Sequence, residues 1–237
     1  MRSFLLIAIL FILASCSVAN ETPQAEALTP RELSAAIGQA TLASESVSFA
    51  LTLSGRPVPL DTSGLMQLNR MQGDLLRPDG VVATLRVILG ASAVADLRTI
   101  SFAGRQYLTN PLTRQWMCLD PAMTFDPAIL FAPDQGIEYL LQEGFTDVAL
   151  VGTEELDGRE HYHLRGTLDA AQLQTISLGL LGRDAVSAEL WADSTTMQLT
   201  RLVLVDGEVE SEDATTWTLT FSDYGKTVDV RAPMVCE

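Results

Sequence analysis

Period-two alternation punctuated by Asp-Gly pairs constrains this chain more than any other feature. Val47, Phe49, Leu51 and Leu53 alternate with Ser48, Ala50 and Thr52. Successive side chains on a strand point to opposite faces, so this run reads as a half-buried strand. Similar runs at 64–76, 81–89, 96–102, 106–109, 115–119, 184–191, 197–205, 214–221 and 227–230 predict further strands. Asp79-Gly80, Asp157-Gly158 and Asp206-Gly207 each lie between two such runs, and Ala103-Gly104 marks another turn. Asp-Gly suits the positive φ angles of a tight hairpin, so the chain reads as a mostly antiparallel meander. A sheet of roughly ten strands tends to curl or close.

Such a sheet needs a cover for its inner face, and the helical segments supply one. The first spans 28–43, with Thr29 as N-cap, Pro30 at the first helical position and Glu32 completing a capping box. Leu33, Ile37 and Leu42 give it one apolar side. A second segment, 126–142, opens on Asp-Pro and carries Ile129, Leu130, Ile137, Leu140 and Leu141, with Pro133 and Gly136 expected to split it. A third, 169–181, has Asp169 as its N-cap. Internal repeats and a second-domain boundary are not evident. The expected class is α+β, mostly antiparallel β, with helices on the concave face and an apolar cavity wherever side chains leave the interior unfilled.

The N-terminus reads MRSFLLIAILFILASC. Arg2 gives a short positive region, and Phe4 to Leu13 is nearly unbroken apolar sequence. A helix needs roughly 20 apolar residues to cross a bilayer, so this run is a signal-peptide core, not a span. Leu13-Ala14-Ser15-Cys16 resembles the lipobox of bacterial lipoproteins, in which the Cys thiol takes a diacylglyceryl group and becomes the first mature residue. The alternative is a plain signal peptide with an incidental Cys. The polar stretch after Cys16 reads as a flexible tether. The expected organisation is a lipoprotein signal at 1–15, a lipidated Cys and tether at 16–28, and one domain at 29–237. Two acyl chains anchor a protein to a membrane without embedding it.

Charge narrows the partners. The chain carries 15 basic and 30 acidic residues, for a net −15 that becomes −16 once Arg2 leaves with the signal. Nucleic acid and a polybasic grip on anionic lipid heads are both disfavoured. Beyond Cys16, only Cys118 and Cys236 remain. An even pair in an exported, oxidising compartment predicts a disulfide between them, the alternative being two unrelated thiols.

Signatures of catalysis are weak throughout. His161 and His163 share a strand face, but a third metal ligand is not obvious, although Glu160 is adjacent. The expectation is two solvent-facing histidines, with Tyr162 and Leu164 inward and no metal or cofactor. Gly90-Ala91-Ser92-Ala93-Val94 lacks the closing Gly of a nucleophile elbow. Glu154-Glu155 and Glu208–Glu210 beside turns read as solvated charge. The remaining functional candidates are apolar: Phe49, Leu51, Leu85, Val87, Leu190, Trp217 and Leu219 on strands, and Ile129, Leu130, Ile137, Leu140 and Ile176 on helices. Sequence alone leaves open whether they line a cavity or fill a core.

Several stretches together carry a family resemblance: SVSFALTLSG, FAGRQYLTNPLTRQW, ELDGREHYHLRGTLD, WADSTTMQLTRLVLVDG and TLTFSDYGKTVDVRAP. Tyr107 before Trp116, Leu164-Arg165-Gly166 after Asp157-Gly158, Trp191-Ala192-Asp193, and Phe221-Ser222-Asp223-Tyr224 ahead of Pro233 carry most of it. The chain resembles the mycobacterial lipid-carrier lipoproteins of the LppX/LprG type over most of its mature length. That resemblance implies a half-open antiparallel barrel, similar to periplasmic lipoprotein carriers, with a large apolar cavity for acyl chains. The expected function is a non-enzymatic carrier that binds a lipid or other amphiphile and shuttles or presents it. It would be a monomer anchored at the extracytoplasmic face, with an unidentified membrane transporter as a candidate partner. The rival is a structural or accessory lipoprotein with a packed interior.

The lipobox makes a direct prediction. Cys16→Ser should abolish incorporation of a clickable fatty acid and leave the precursor uncut or release a soluble form. Equal labelling of mutant and parent would contradict the lipobox.

Overall fold

The computed structural model describes residues 28–61, 63–120, 129–130, 132–177, 179–182, 186–208 and 211–236. The signal, Cys16 and most of the tether lie outside these residues, as does the start of the second helical segment at 126–128.

The chain opens with helix α1 (Pro30–Leu42). Its capping box is complete: Thr29 Oγ1 accepts from the Glu32 amide, and the Glu32 carboxylate accepts from the Thr29 amide at 2.8 Å. Strands follow as β1 (Ser46–Gly55), β2 (Val58–Pro59), β3 (Met66–Leu76), β4 (Gly80–Leu89), β5 (Ala93–Phe102), β6 (Arg105–Thr109) and β7 (Trp116–Cys118). Helix α2 (Ile137–Tyr139) widens into a π-helical turn over Leu140–Gly144. Then come β8 (Phe145–Leu156), β9 (Arg159–Leu168), helix α3 (Ala170–Ile176), β10 (Val186–Asp193), β11 (Leu199–Asp206) and β12 (Thr215–Ser222).

Twelve strands form one antiparallel sheet in the order β7-β6-β5-β4-β3-β1-β12-β11-β10-β9-β8, with the short β2 alongside β3. The sheet is curved but not closed: β7 and β8 are its two edges. Strand β1 sits between β3 and β12, so the first and last strands meet in the middle of the sheet. The hairpins form where the turn residues predict. Ala103-Gly104 and Asp157-Gly158 take positive φ at both positions, the geometry of the two-residue hairpin turn. Asp206 instead ends β11, and a longer loop carries the chain to β12.

Both helical faces of the inner side are pinned by buried polar contacts. Ser34 Oγ donates to the Leu141 carbonyl at 2.7 Å, and the Leu199 amide donates to Thr41 Oγ1 at 2.9 Å. Helix α1 thus bridges the π-helical turn and β11. Gly166 on β9 allows a close approach, since a Cβ there would come within 2.6 Å of the Phe145 ring.

Two predicted elements also differ from the structure. The third helix stops at Ile176 instead of reaching Leu181: Ser177 Oγ donates back to the Leu173 carbonyl, and Gly179 turns the chain at φ 75°. Residues 227–230 are not a strand. Strand β12 already has β1 and β11 on its two sides, so the following chain has no free edge to extend. It crosses the outer face instead, where Val228, Val230 and Cys236 pack with Ile100, Tyr107, Val82, Trp116 and Cys118.

Cys118 and Cys236 are joined by a disulfide, with Cα atoms 5.9 Å apart and 118 residues between them in sequence. It ties the C-terminal segment to edge strand β7. Closing a loop of this length constrains the unfolded chain by roughly 4–5 kcal/mol in the chain-entropy picture, with measured gains often smaller. Cys236→Ser should therefore cost about 2–4 kcal/mol of unfolding free energy and speed amide exchange in β6. Tryptic mapping of unreduced protein should show one peptide joining the two cysteines. Two freely alkylated thiols in exported protein would contradict the bond.

Candidate functional site

The strand register gathers the apolar strand residues into one row across the inner face. Leu97 on β5 pairs with Leu85 on β4, Leu85 with Met71 on β3, and Met71 with Leu51 on β1. The row continues from Leu51 to Leu219 on β12, Leu202 on β11, Leu190 on β10 and Leu164 on β9. Eight neighbouring strands each contribute one residue. The row is sealed at its ends, where Leu97, Leu190 and Leu164 are at most 1% exposed. Towards its middle Leu85, Met71, Leu219 and Leu202 remain half-buried, around the buried Leu51.

Parallel rows flank it. Phe49 faces Phe221 on one side, and both rings are half-buried. Trp217 lies on the other, between Leu53 of β1 and Leu204 of β11. Leu33 and Ile37 of α1, Leu140 and Leu141 of the π-helical turn, and Leu173 of α3 pack into the same cluster from above.

The sequence candidates divide by burial. Leu51, Val87, Leu140, Leu190 and Trp217 are buried, whereas Phe49, Leu85, Ile129, Leu130, Ile137, Ile176 and Leu219 are half-buried. Leu51, Leu140, Leu190 and Trp217 belong to the principal cluster, with Leu85, Ile137, Ile176 and Leu219 packed around it. Phe49, Leu130 and Leu85 surround a smaller cluster of Val47, Leu75, Val81 and Ala83. Leu85 therefore joins the two. Val87 and Ile129 belong to neither. Sequence reasoning missed Met71, Leu202 and Phe221. Each faces a chosen residue across the sheet, Met71 opposite Leu51, Leu202 opposite Leu219 and Phe221 opposite Phe49, so the cross-strand register was the missing signal.

The outer face is polar and differs from expectation. His161 and His163 are buried, not solvent-facing. The His163 ring stacks on Trp191 with centroids 4.2 Å apart, and the Arg201 guanidinium lies over the Trp191 ring, 4.9 Å from its centroid. His163 Nδ1 lies 2.6 Å from Glu154 and Nε2 lies 2.9 Å from Glu189. Trp191 Nε1 donates to Glu154 at 3.0 Å. The Trp191 hydrogen bond, followed by that of His163, holds the Glu154 carboxyl below its ordinary range. The face was legible as polar, but its aromatic stacking depends on pairing between β9 and β10 that local alternation does not reveal. Tyr162 and Leu164 do point inward, as expected.

A polar cleft of about 310 Å³ lies by the β10–β11 turn and the end of β12, lined by Arg159, Asp193, Gln198, Thr200, Phe221 and Tyr224 among others. Its acid is structural. Asp193 Oδ1 accepts from the Thr195 and Thr196 amides at 2.9 Å, and Oδ2 accepts from Arg159 at 3.1 Å. Burial disfavours the Asp193 carboxylate more than any single other influence, but the amides and Arg159 together hold its pKa below the usual value. These bonds shape the β10–β11 turn. Groups of three or more metal-ligating side chains do not occur among the described residues.

The match to a known family covers residues 29–230, and the family is described as LppX_LprAFG lipoprotein. The chain belongs to the LppX_LprAFG lipoprotein family. It is 25% identical over 228 residues to a protein of Mycolicibacterium smegmatis named lipoarabinomannan carrier protein LprG, covering 94% of this chain and 90% of that one. A protein of the same name from Mycolicibacterium hassiacum is also 25% identical, covering 94% and 92%. Among solved structures, LprF from Mycobacterium bovis superposes with a TM-score of 0.66 at 19% identity, over 86% of this chain and 96% of that one. LppX from Mycobacterium tuberculosis superposes with a TM-score of 0.58 at 20% identity, over 84% and 98%. The open antiparallel sheet with helices on one side is thus the LppX and LprF lipoprotein fold.

Proposed function

We propose that this lipoprotein is a carrier that holds an amphiphilic lipid against the inner face of its open sheet. The supporting observation is the cross-sheet row sealed at Leu97, Leu190 and Leu164 but half-buried at Leu85, Met71, Leu202 and Leu219. These four residues leave apolar surface on either side of the buried Leu51, where acyl chains can complete the burial. Covering each 100 Å² of it is worth about 2.5 kcal/mol, so hydrocarbon chains bind with little polar recognition. The carrier names of the two relatives favour the same role.

In this reading Cys16 bears the diacylglyceryl anchor and the tether lets the domain reach the membrane surface. The protein works outside the cytoplasm, exchanging lipid with the bilayer or with a membrane transporter. It acts as a monomer and performs no covalent chemistry on its cargo. Phe49, Leu85, Leu219 and Phe221 would line the bound chains on the sheet side, and Leu130, Ile137 and Ile176 on the helix side.

A bulky residue in the interior discriminates between a carrier and a packed accessory protein. Leu85→Trp should reduce uptake of a fluorescent acyl lipid severalfold while the melting temperature changes little. In a filled core the same change overpacks and costs roughly 1–3 kcal/mol. Strong destabilisation with undiminished lipid binding would contradict the carrier reading.

A further inference from the structure

The acidity of the chain is not shared by one part of its sheet. From Leu65 to the end of β7 lie six of the 15 basic residues but only three of the 30 acidic ones. Over β4 to β7, Asp96 is the sole acid against Arg86, Arg98, Arg105 and Arg114. The net charge of −15, taken over the whole chain, hides this basic region.

The register gathers its charges on the outer face. Arg70 of β3 stands opposite Arg86 of β4, and Arg86 opposite Asp96 of β5. Asp96 accepts two bonds from Arg86, at 2.7 and 2.8 Å. One carboxylate thus serves a row with two guanidinium groups, and like charges directly across a strand pair oppose folding. An anion from outside would relieve that opposition. Arg98 stands one row further on, its guanidinium 5.2 Å from the centroid of the half-buried Trp116 ring. Arg70 and Arg98 are both exposed.

The adjoining end of the sheet carries exposed apolar residues. The β4–β5 turn is uncharged from Val87 to Ala95, and Val94 is 60% exposed. Leu65, whose carbonyl accepts from the Gly90 amide at 2.7 Å, is 62% exposed. Strand β6 runs antiparallel to β5, so the β6–β7 turn comes back to the same end, with Leu112 87% exposed and Arg114 two residues on. A specific protein interface has a core packed to complementary shape, whereas these side chains project singly from separate turns. Fluid lipid moulds around separate projections. Tryptophan favours the level of the lipid headgroups, and each arginine near an anionic leaflet is drawn to its surface potential.

We propose that this end of the sheet docks on an anionic phospholipid bilayer, with Leu65, Val94 and Leu112 entering the interface and Arg70, Arg98 and Arg114 against the headgroups. The inference rests on the membrane-anchored reading of Cys16 and is independent of what the inner face holds. The tether keeps the domain near the membrane, and this surface sets which end meets it.

The experiment places the purified, lipidated protein in vesicles of phosphatidylcholine alone or of phosphatidylcholine mixed with phosphatidylglycerol, and follows amide exchange by mass spectrometry. Peptides covering the β4–β5 and β6–β7 turns should exchange severalfold more slowly on the anionic vesicles, with the β8–β9 turn at Asp157-Gly158 unchanged. Added salt should shrink the difference, because it screens exposed charges. The double variants Arg70→Glu/Arg98→Glu and Leu65→Asp/Val94→Asp should each abolish it at an unchanged melting temperature. Should either variant fail to fold, the wild-type comparison decides alone. Equal exchange on the two kinds of vesicle, or slowing at the β8–β9 turn instead, would overturn the inference. The same slowing without vesicles as protein concentration rises would assign the surface to a second copy and overturn it too. Protein that leaves neutral vesicles but stays on anionic ones would contradict the anchor and still support the surface. Protein that leaves both would overturn the two together.

Discussion

Strand register is the constraint on which everything else in this molecule depends. Side chains alternate with a period of two, so a slip of one residue would turn a strand's whole apolar set outward. The pairing of Leu51 with both Met71 and Leu219 fixes that register at the centre of the sheet, where the first strand meets the last. From there the apolar row propagates strand by strand to Leu97 on one side and Leu164 on the other. The antiparallel order also leaves β7 and β8 as separate edges. The sheet curls around its apolar face without closing on it, and the helices must finish the enclosure.

They finish it unevenly. Helix α1 and the π-helical turn are fixed to each other by Ser34 and to β11 by Thr41, and they bury Leu140 and Leu141 fully. Leu130, Ile137 and Ile176 remain half-buried, as do the strand residues Leu85, Met71 and Leu219. On the outer face other parts of the chain supply the cover. The C-terminal segment, held by the disulfide, covers Ile100 and Tyr107, and stacked Trp191 and His163 cover the β9–β10 region. The outside of the sheet is covered in part by the protein's own chain, with Val94 and Phe102 of β5 still exposed, and the inside keeps its half-buried apolar residues.

Much of this was legible in sequence because it is local. Thr29, Pro30 and Glu32 announce α1, and Ala103-Gly104 and Asp157-Gly158 announce hairpins, since both signals act within a few residues. The disulfide was legible from cysteine number and compartment. What depends on distant pairing was not. His161 and His163 read as exposed because a strand pattern does not say that Trp191 will stack on its neighbour or that Glu154 and Glu189 will flank it. Residues 227–230 read as a strand because their alternation is real, but β12 has no free edge to offer them. The difference between the buried Leu190 and the half-buried Leu219, both inward leucines on strands, is set by what packs above them.

The central claim is that the inner face takes up a lipid, and the most direct measurement is the mass of the protein as the cell makes it. A tagless, lipobox-deleted form, exported and purified without detergent, would be examined by native mass spectrometry. The account predicts a population heavier than the polypeptide by the mass of a non-covalent lipid, lost on collisional activation and recovered in an organic extract. A single species at the polypeptide mass, with no lipid in the extract, would contradict it.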